Sequence, residues 1–417
     1  MRFALKKYNK PRCSVLVLFG MITIAFSGCQ TPPLRSINQK ELANRQHAFL
    51  KSYQSDIEAI SEKTAKRIEH EYRKSQLSSE NKQQNYDVLV LSGGGAFGAF
   101  GAGFLKGWGK VSKMGYTRPQ FDSISGISTG SLIAPFAFIG TPKAYDDIVK
   151  FYEKPGVDWA RKRGIIPYLP GNVSIYDVSR LHKTINLAIT PELIENLAKG
   201  GIEGRQLLIG ATNMDYGLLR VWDLAQIASK VSIEKAIEKT VSILSASTAI
   251  PGLFPPQIID DLLYVDGGAT MQMVGGMGDR SWAYVPENKQ MGFVNSKAPV
   301  KIRVWIIVNQ KLLTDAKVVR SRWTSIASRS LNTLIRSSTL QSIQDTETYV
   351  RLINRRPEFD AEMKYVAIPQ DFPIADSDEM FDAETMRDLV KLGLQMGADP
   401  TSWKTEALRP GAPFELD

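Results

Sequence analysis

Apolar positions along this chain fall into two regimes. From about Asn38 to Gln84 the sequence is polar and charged, with a thin apolar stripe formed by Leu42, Phe49, Tyr53, Ile57, Ile60, Ile68 and Tyr72. That spacing predicts one or two amphipathic helices lying on a larger body. From Tyr86 onward the pattern changes to short continuous apolar runs alternating with amphipathic stretches. DVLVLSG reads as a buried strand followed by a glycine-rich helix, and FDSISG as a second strand followed by the helix TGSLIAPFAFIG. Strand and helix in alternation predict a parallel sheet covered by helices on both faces.

The later segments continue the pattern. Thr190-Pro191-Glu192 carries the signature of a helix N-cap with proline at the first helical position. RQLLIGATNM and LLRVWDL straddle Asp215-Tyr216-Gly217, which predicts a hairpin. A helix from about Ile233 to Ser245 runs into STAIPGLFPP, whose prolines end it. IIDDLLYVDGG reads as strand, turn and strand, KIRVWIIVNQ as another buried strand, and Ser321 to Ile353 as largely helical. MKYVAIP is the last expected strand, before the helix DAETMRDLVKLGLQMG. The expected fold class is α/β: a three-layer α/β/α sandwich with a mostly parallel central sheet, preceded by an N-terminal helical segment. No internal repeat and no low-complexity linker follows residue 85.

The first 28 residues change the picture of charge. Five cations (Arg2, Lys6, Lys7, Lys10 and Arg12) precede the apolar run CSVLVLFGMITIAF, and no acid accompanies them. They account for five of the nine net positive charges of the 417-residue chain; the +4 that remains is too mild to argue for nucleic acid as a partner. The apolar run is shorter than the roughly 20 residues of a membrane span and ends in Ser27-Gly28-Cys29, so the segment reads as an export signal. Small residues before a cysteine resemble the lipobox of bacterial lipoproteins, with Cys29 as the lipidated new N-terminus and Phe26 where leucine is usual. Gln30 after it, in place of aspartate, implies delivery to the outer membrane of the cell envelope. The chain has only two cysteines, Cys13 and Cys29, so a mature body has none for a catalytic thiolate or a thiolate metal site. The expected organisation is a signal peptide over 1–28, a tether and charged helices over 29–84, a catalytic domain over 85–400 and a C-terminal tail over 401–417.

Two glycine motifs carry the candidate chemistry. Gly93, Gly95 and Gly98 satisfy the spacing G-x-G-x-x-G of dinucleotide sites. Such a site needs an acid at the end of the next strand to hold a ribose. Here that strand ends in Ser125-Gly126, and its only acid, Asp122, stands near its beginning; a Walker lysine is absent too. The second motif is Gly126-Ile127-Ser128-Thr129-Gly130, between a strand and a helix. A serine at that junction occupies a strained turn that lifts its hydroxyl clear of the sheet, and both flanks need glycine to avoid collision. Ser128 is therefore the candidate nucleophile, flanked by Gly126 and Gly130. The loop Gly93, Gly94, Gly95 and Ala96 then reads as an oxyanion hole, because backbone N–H groups at a helix start can approach a developing charge unhindered. The three histidines fit poorly as a base: His47 and His70 lie in the charged helices and His182 in VSRLHKTIN, where a surface position is expected.

Asp266-Gly267-Gly268 follows the apolar strand LLYV. With Gly93-Gly94-Gly95, the serine elbow GISTG and the segment ASTAIPGLFPP, in this order, the chain resembles the patatin-like phospholipase family over roughly residues 86–400. The resemblance implies a patatin-like α/β sandwich and a Ser–Asp dyad, with Ser128 as nucleophile and Asp266 as general base acting on acyl lipids through an acyl-enzyme. An ordinary aspartate, with a pKa of about 3.9, is a feeble base; partial burial in an apolar site would raise it, and the dipole of the following helix would help the alkoxide. Phe97 stands where the family commonly has Arg or Lys, and ATMQMVGGMG replaces an Asn-Pro type segment. Met271, Met273 and Met277 there suit either core packing or an acyl-chain pocket. Arg161-Lys162-Arg163 beside Ile165-Ile166-Pro167 reads as a solvated face that can also meet anionic lipid. No metal-ligand pattern stands out and no cofactor is expected. The rival reading is a catalytically idle patatin-like module that binds lipid or a partner; a nucleotide-dependent oxidoreductase rests on the glycine spacing alone.

Overall fold

The computed structural model of the protein describes residues 35, 37–77, 85–156, 159–164, 172–275, 299–313, 315–374 and 379–408. The proposed signal, Cys29, Met277 and the run from Ile165 to Pro167 lie outside them. Among the described residues no helix is long and apolar enough to cross a membrane.

The charged N-terminal stretch is one continuous helix, α1 (Gln39–Leu77), and contains neither glycine nor proline to break it. Asn38 begins it by accepting the Glu41 N–H at 3.0 Å. Within the predicted stripe Ile68 is fully buried, while Leu42, Phe49, Tyr53, Ile57 and Ile60 are half-buried. Polar contacts complete the docking. Lys63 pairs with Asp223 at 2.8 Å and Arg67 with Asp122 at 2.9 Å. Thr64 donates to Gln206 at 2.7 Å.

The body opens with β1 (Asn85–Leu91), α2 (Gly98–Trp108), β2 (Ser123–Ile127), α3 (Thr129–Ile139) and α4 (Pro142–Glu153). A small ribbon, β3 (Arg161–Lys162) with β4 (Tyr176–Asp177), leads to α5 (Ser179–Ala188) and α6 (Pro191–Ile202). The hairpin β5 (Gln206–Asn213) and β6 (Leu218–Asp223) follows, then α7 (Leu224–Lys230) and α8 (Ile233–Ser247). Last come β7 (Gln257–Ile259), β8 (Leu262–Asp266), β9 (Val300–Lys311), α9 (Trp323–Ile353), β10 (Phe359–Ile368) and α10 (Ala383–Gly397).

The central sheet runs β10-β9-β1-β2-β5 with every neighbouring pair parallel. The hairpin strand β6, together with β8 and β7, joins it antiparallel. Alternation along the strands divides the apolar residues between two faces, because successive side chains point opposite ways. In β1, Leu89 and Leu91 enter the larger core beside α2, α3 and α10, whereas Tyr86, Val88 and Val90 enter a second core with Ile68 of α1 and Ile343, Val350 and Ile353 of α9. The three layers thus follow from period-2 strands with a buried stripe on each side.

Glycines let α2 press against α10: a Cβ at Gly103 would stand 2.3 Å from the Val390 carbonyl oxygen, and one at Gly393 2.2 Å from that of Phe100. The expected tail begins inside the body. Trp403 is buried against Trp108 and Trp305, with ring centroids 4.8 and 5.0 Å away, and Lys404 exchanges backbone hydrogen bonds with Tyr365. Apolar burial of this kind ties residues past 400 to the fold.

Candidate active site

Two strands meet end to end beside β5. Gly210 of β5 is in register with Ile127 of β2, and the next residue, Ala211, is in register with Asp266 of β8. Strand β6 occupies the other edge of β5 at both positions, so β2 and β8 share one edge and approach each other from opposite directions. Ser128 is one residue past the tip of β2, and Asp266 is the last residue of β8. This register brings them together across a long sequence separation, with the Ser128 side chain near enough to the Asp266 carboxyl to oppose the rise that burial gives its pKa.

Ser128 has φ 52° and ψ −126°, a region that side-chain-bearing residues rarely adopt and that marks stored strain. Its flanking glycines are required by contact. A Cβ at Gly126 would lie 2.5 Å from the Gly130 carbonyl oxygen, and one at Gly130 2.4 Å from that of Leu91. Ser247, at the end of α8, supports the turn from below: its hydroxyl accepts the Ser128 N–H at 3.0 Å and donates to the Gly210 carbonyl at 2.7 Å. Ser131 closes the first turn of α3 by donating to the Ser128 carbonyl at 2.6 Å.

The glycine loop lies alongside. A Cβ at Gly93 would stand 3.3 Å from that of Ser128, and one at Gly94 2.0 Å from the Asn309 carbonyl oxygen. Gly95 has open space around it but φ +57°, so it is glycine for conformation and not for room. It opens a single 3-10 turn, Gly95–Phe97, directly before α2. The first N–H groups of such a turn have no carbonyl one turn back, which leaves Gly94, Gly95 and Ala96 suited to an external anion. The third glycine of the dinucleotide spacing has another cause: a Cβ at Gly98 would stand 2.6 Å from the Tyr152 hydroxyl.

Residues outside the sequence motifs fix this loop. Asn309, at the end of β9, donates its backbone N–H to Ser92 Oγ at 2.8 Å and its side-chain N–H to the Ser92 carbonyl at 2.9 Å. Gln272 joins the two glycine segments: its carbonyl accepts the Gly93 N–H at 3.2 Å, and its side chain donates to the Gly268 carbonyl at 3.1 Å. Gln272 is the one hydrogen-bonding side chain in the run MQMV, and that isolation was its sequence signal.

Burial dominates the electrostatics. Asp266 is 5% exposed and Ser128 7%. Burial pushes the Asp266 carboxyl up to about 6, against the opposing influence of the Ser128 side chain and of the Gly268 N–H, the latter bonded to Oδ1 at 2.7 Å. Among the described residues no histidine hydrogen-bonds either group. His47 and His70 are exposed on α1; His182 is half-buried on α5, where a surface position was expected, and burial lowers its pKa. Phe97 packs partly buried against the larger core, and Met273 is core of the second face, while Met271 is half-buried. Arg161 and Lys162 are exposed on β3. Among the described residues no three His, Cys, Asp or Glu side chains gather around a possible metal ion.

Comparison with known proteins bears on the same region. Residues 89–274, which include Ser128, Asp266 and the glycine loop, match the family model of the patatin-like phospholipases. No curated protein matches the sequence. Among solved structures, that of VipD from Legionella pneumophila is similar to the chain at 13% identity and a TM-score of 0.30, over 80% of this chain and 74% of that one.

Proposed function

We propose, from the match of residues 89–274 to the family model of the patatin-like phospholipases, that this chain is a lipid acyl hydrolase working through a Ser128–Asp266 dyad. The observation that carries the reading is the juxtaposition, at the meeting of β2 and β8, of the strained Ser128 and a buried Asp266 whose carboxyl is raised to about 6. A base is most effective when its pKa lies near the working pH, and burial moves Asp266 toward that range.

In this scheme Ser128 Oγ attacks the ester carbonyl carbon while its proton passes to Asp266. The N–H groups of Gly94, Gly95 and Ala96 receive the developing oxyanion, and the start of α3 adds its dipole. Collapse of the tetrahedral intermediate expels the alcohol, which takes the proton from Asp266 and leaves Ser128 acylated. Water then attacks the acyl-enzyme, giving its proton to Asp266, and release of the acid regenerates the serine. Transfer of the acyl group to another alcohol would use the same groups. Phospholipids, lysophospholipids and acylglycerols are the substrate class, reached from a lipid anchor on Cys29 at the outer membrane of a bacterial envelope.

Labelling of the purified protein by a fluorophosphonate tests the dyad. Ser128→Ala abolishes labelling and lowers ester turnover by roughly 10^4-fold or more. Asp266→Asn slows both by about 100- to 10,000-fold. A folded wild-type protein that neither labels nor turns over any acyl ester would sink the hydrolase reading in favour of an idle lipid-binding module. For the anchor, incorporation of radiolabelled palmitate that survives Cys29→Ser would remove Cys29 as the lipidation site.

A further inference from the structure

The long helix α9 is covered along only half its length. Thr339, Ile343, Thr346, Val350 and Ile353 are buried, at the spacing of a core-facing stripe, but no residue from Trp323 to Ser338 is. That half is not polar. Val318 is 93% exposed, Trp323 78% and Leu334 66%, with Val319, Ile326 and Leu331 exposed as well. Large exposed apolar side chains elsewhere among the described residues are scattered, whereas these six fall within 17 consecutive residues, and a cluster of that kind marks an interaction surface.

Charge identifies what the surface meets. From Ala316 to Gln344 the chain contains no Asp or Glu, while Lys317, Arg320, Arg322, Arg329 and Arg336 contribute five cations. Trp323, Ile326 and Leu334 fall on one side of the helix at a 3.6-residue period, and Arg322, Arg329 and Arg336 repeat every seven residues along its flank. Cations with no acid among them fit a partner of uniform negative charge. An anionic bilayer takes this mixture readily, with aromatic and aliphatic groups below the headgroups and arginines among the phosphates.

Position adds a second argument. The exposed half of α9 stands at the C-terminal edge of the sheet, the edge that carries Ser128. Ser338 accepts the Gln272 N–H at 3.3 Å, and Thr339 is hydrogen-bonded by Gln310 near the end of β9. The same edge holds the start of the described chain: Arg35 pairs with Asp215 in the turn after β5 and donates to the Asp261 carbonyl at 2.7 Å. Five residues lie between Cys29 and Arg35, and the six steps that join them reach at most about 20 Å.

We infer that the N-terminal half of α9, with the segment from Lys317 that precedes it, is a docking surface for anionic lipid that sets the Ser128 edge of the sheet against the bilayer. The inference rests on the lipid-hydrolase reading for its purpose, because a bilayer at this edge presents ester substrate to the dyad. Its physics is that of two weak anchors acting together, an acyl chain at one end of the edge and a basic apolar patch at the other.

The test uses the full chain with Cys13→Ser and Cys29→Ser, its N-terminal apolar run retained, and one thiol introduced at a time for an environment-sensitive fluorophore. Val319→Cys and Ile326→Cys probe the patch; Ile202→Cys, at an exposed site on α6, is the control. On vesicles containing phosphatidylglycerol, emission from both patch labels shifts to the blue and is quenched by brominated acyl chains; it does so less on phosphatidylcholine alone, and the control label does neither. Patch labels that stay in water on both vesicles overturn the inference. So do labels already shielded from iodide before vesicles are added, which would mean that the chain itself or a second copy covers the patch. These readouts need no turnover, so an inactive protein whose labels enter the bilayer would remove the hydrolase reading and leave the docking surface standing. In an active protein, Arg320→Gln with Arg322→Gln lowers hydrolysis of vesicle lipid by about tenfold or more and spares a soluble short-chain ester. Equal loss on both substrates would count against docking.

Discussion

In the proposed dyad, Asp266 concentrates the chemistry and the instability of the site in one carboxyl group. With its pKa raised to about 6, it is protonated and unable to act as a base below that pH, so kcat/KM for a soluble ester rises with pH and levels off above about 6. On the acid side the rate falls tenfold per pH unit; a profile flat through that range would remove Asp266 as the base. The same shift has a thermodynamic sign. A carboxyl whose folded pKa lies above its unfolded value of about 3.9 favours the folded state while protonated and loses that contribution as pH rises through about 6. At pH 8 the buried carboxylate is therefore unfavourable by up to about 3 kcal/mol. Asp266→Asn should melt at a higher temperature than the wild type at pH 8 and at the same temperature at pH 3.5, even though it is nearly inactive. Ser247 works in the opposite direction. Its removal by Ser247→Ala leaves the buried Ser128 N–H and Gly210 carbonyl without partners, at roughly 1–3 kcal/mol. Thermal melts and the rate of fluorophosphonate labelling should both fall; unchanged values would show that the elbow holds itself.

At the scale of elements, the glycines separate those that make room from those that allow a backbone turn. Gly130→Ala places a methyl against the Leu91 and Ser92 carbonyl oxygens, at 2.4 and 2.7 Å, and neither can move without breaking the sheet. Loss of soluble folded protein is expected. Gly95→Ala meets nothing within 4 Å and pays only for φ +57°, about 1 kcal/mol. It should fold, and its circular dichroism and melting temperature check this; turnover then reports how far the loop has turned from the oxyanion. Much of this was legible in the sequence, because local pattern determines local structure. The strands at DVLVLSG and KIRVWIIVNQ, the hairpin around Asp215-Tyr216-Gly217 and the proline-terminated helix before STAIPGLFPP all stand where periodicity and turn chemistry put them. Helix α4 goes unread although Thr141 caps it and Ala144, Tyr145, Ile148, Val149 and Tyr152 form its buried stripe. The non-local terms were not legible. Nothing in LLYVDGG tells that β8 runs antiparallel beside the tip of β2, and the supports from Ser247, Asn309 and Gln272 depend on that pairing.

For the whole molecule, α1 binds the fold together by supplying cations to carboxylates that the sheet has already buried. Asp122 accepts the Asp87 N–H at 2.9 Å through one oxygen and Arg67 through the other, which ties the starts of β1 and β2 to the helix. Asp223 accepts the Leu207 N–H at 3.1 Å, caps α7 and pairs with Lys63. Burial raises the Asp122 pKa, with Arg67 among the groups that oppose the rise. A thin apolar stripe alone gives a helix of 39 residues little reason to stay docked; the two cations also cancel a desolvation penalty within the body. Removing one partner of a fully buried pair costs about 3–5 kcal/mol, but Arg67 and Lys63 are about one-fifth exposed, so each is discounted to roughly 1–3 kcal/mol. Lys63→Met with Arg67→Met should therefore lower the melting temperature at pH 8 by several degrees and open α1 to proteolysis before the body. Adding Asp122→Asn keeps the hydrogen bond to Asp87 while removing the stranded charge, so part of the loss should return. Recovery identifies charge compensation as the role of α1, whereas a triple variant no more stable than the double would assign it to packing along Ile68 and its neighbours.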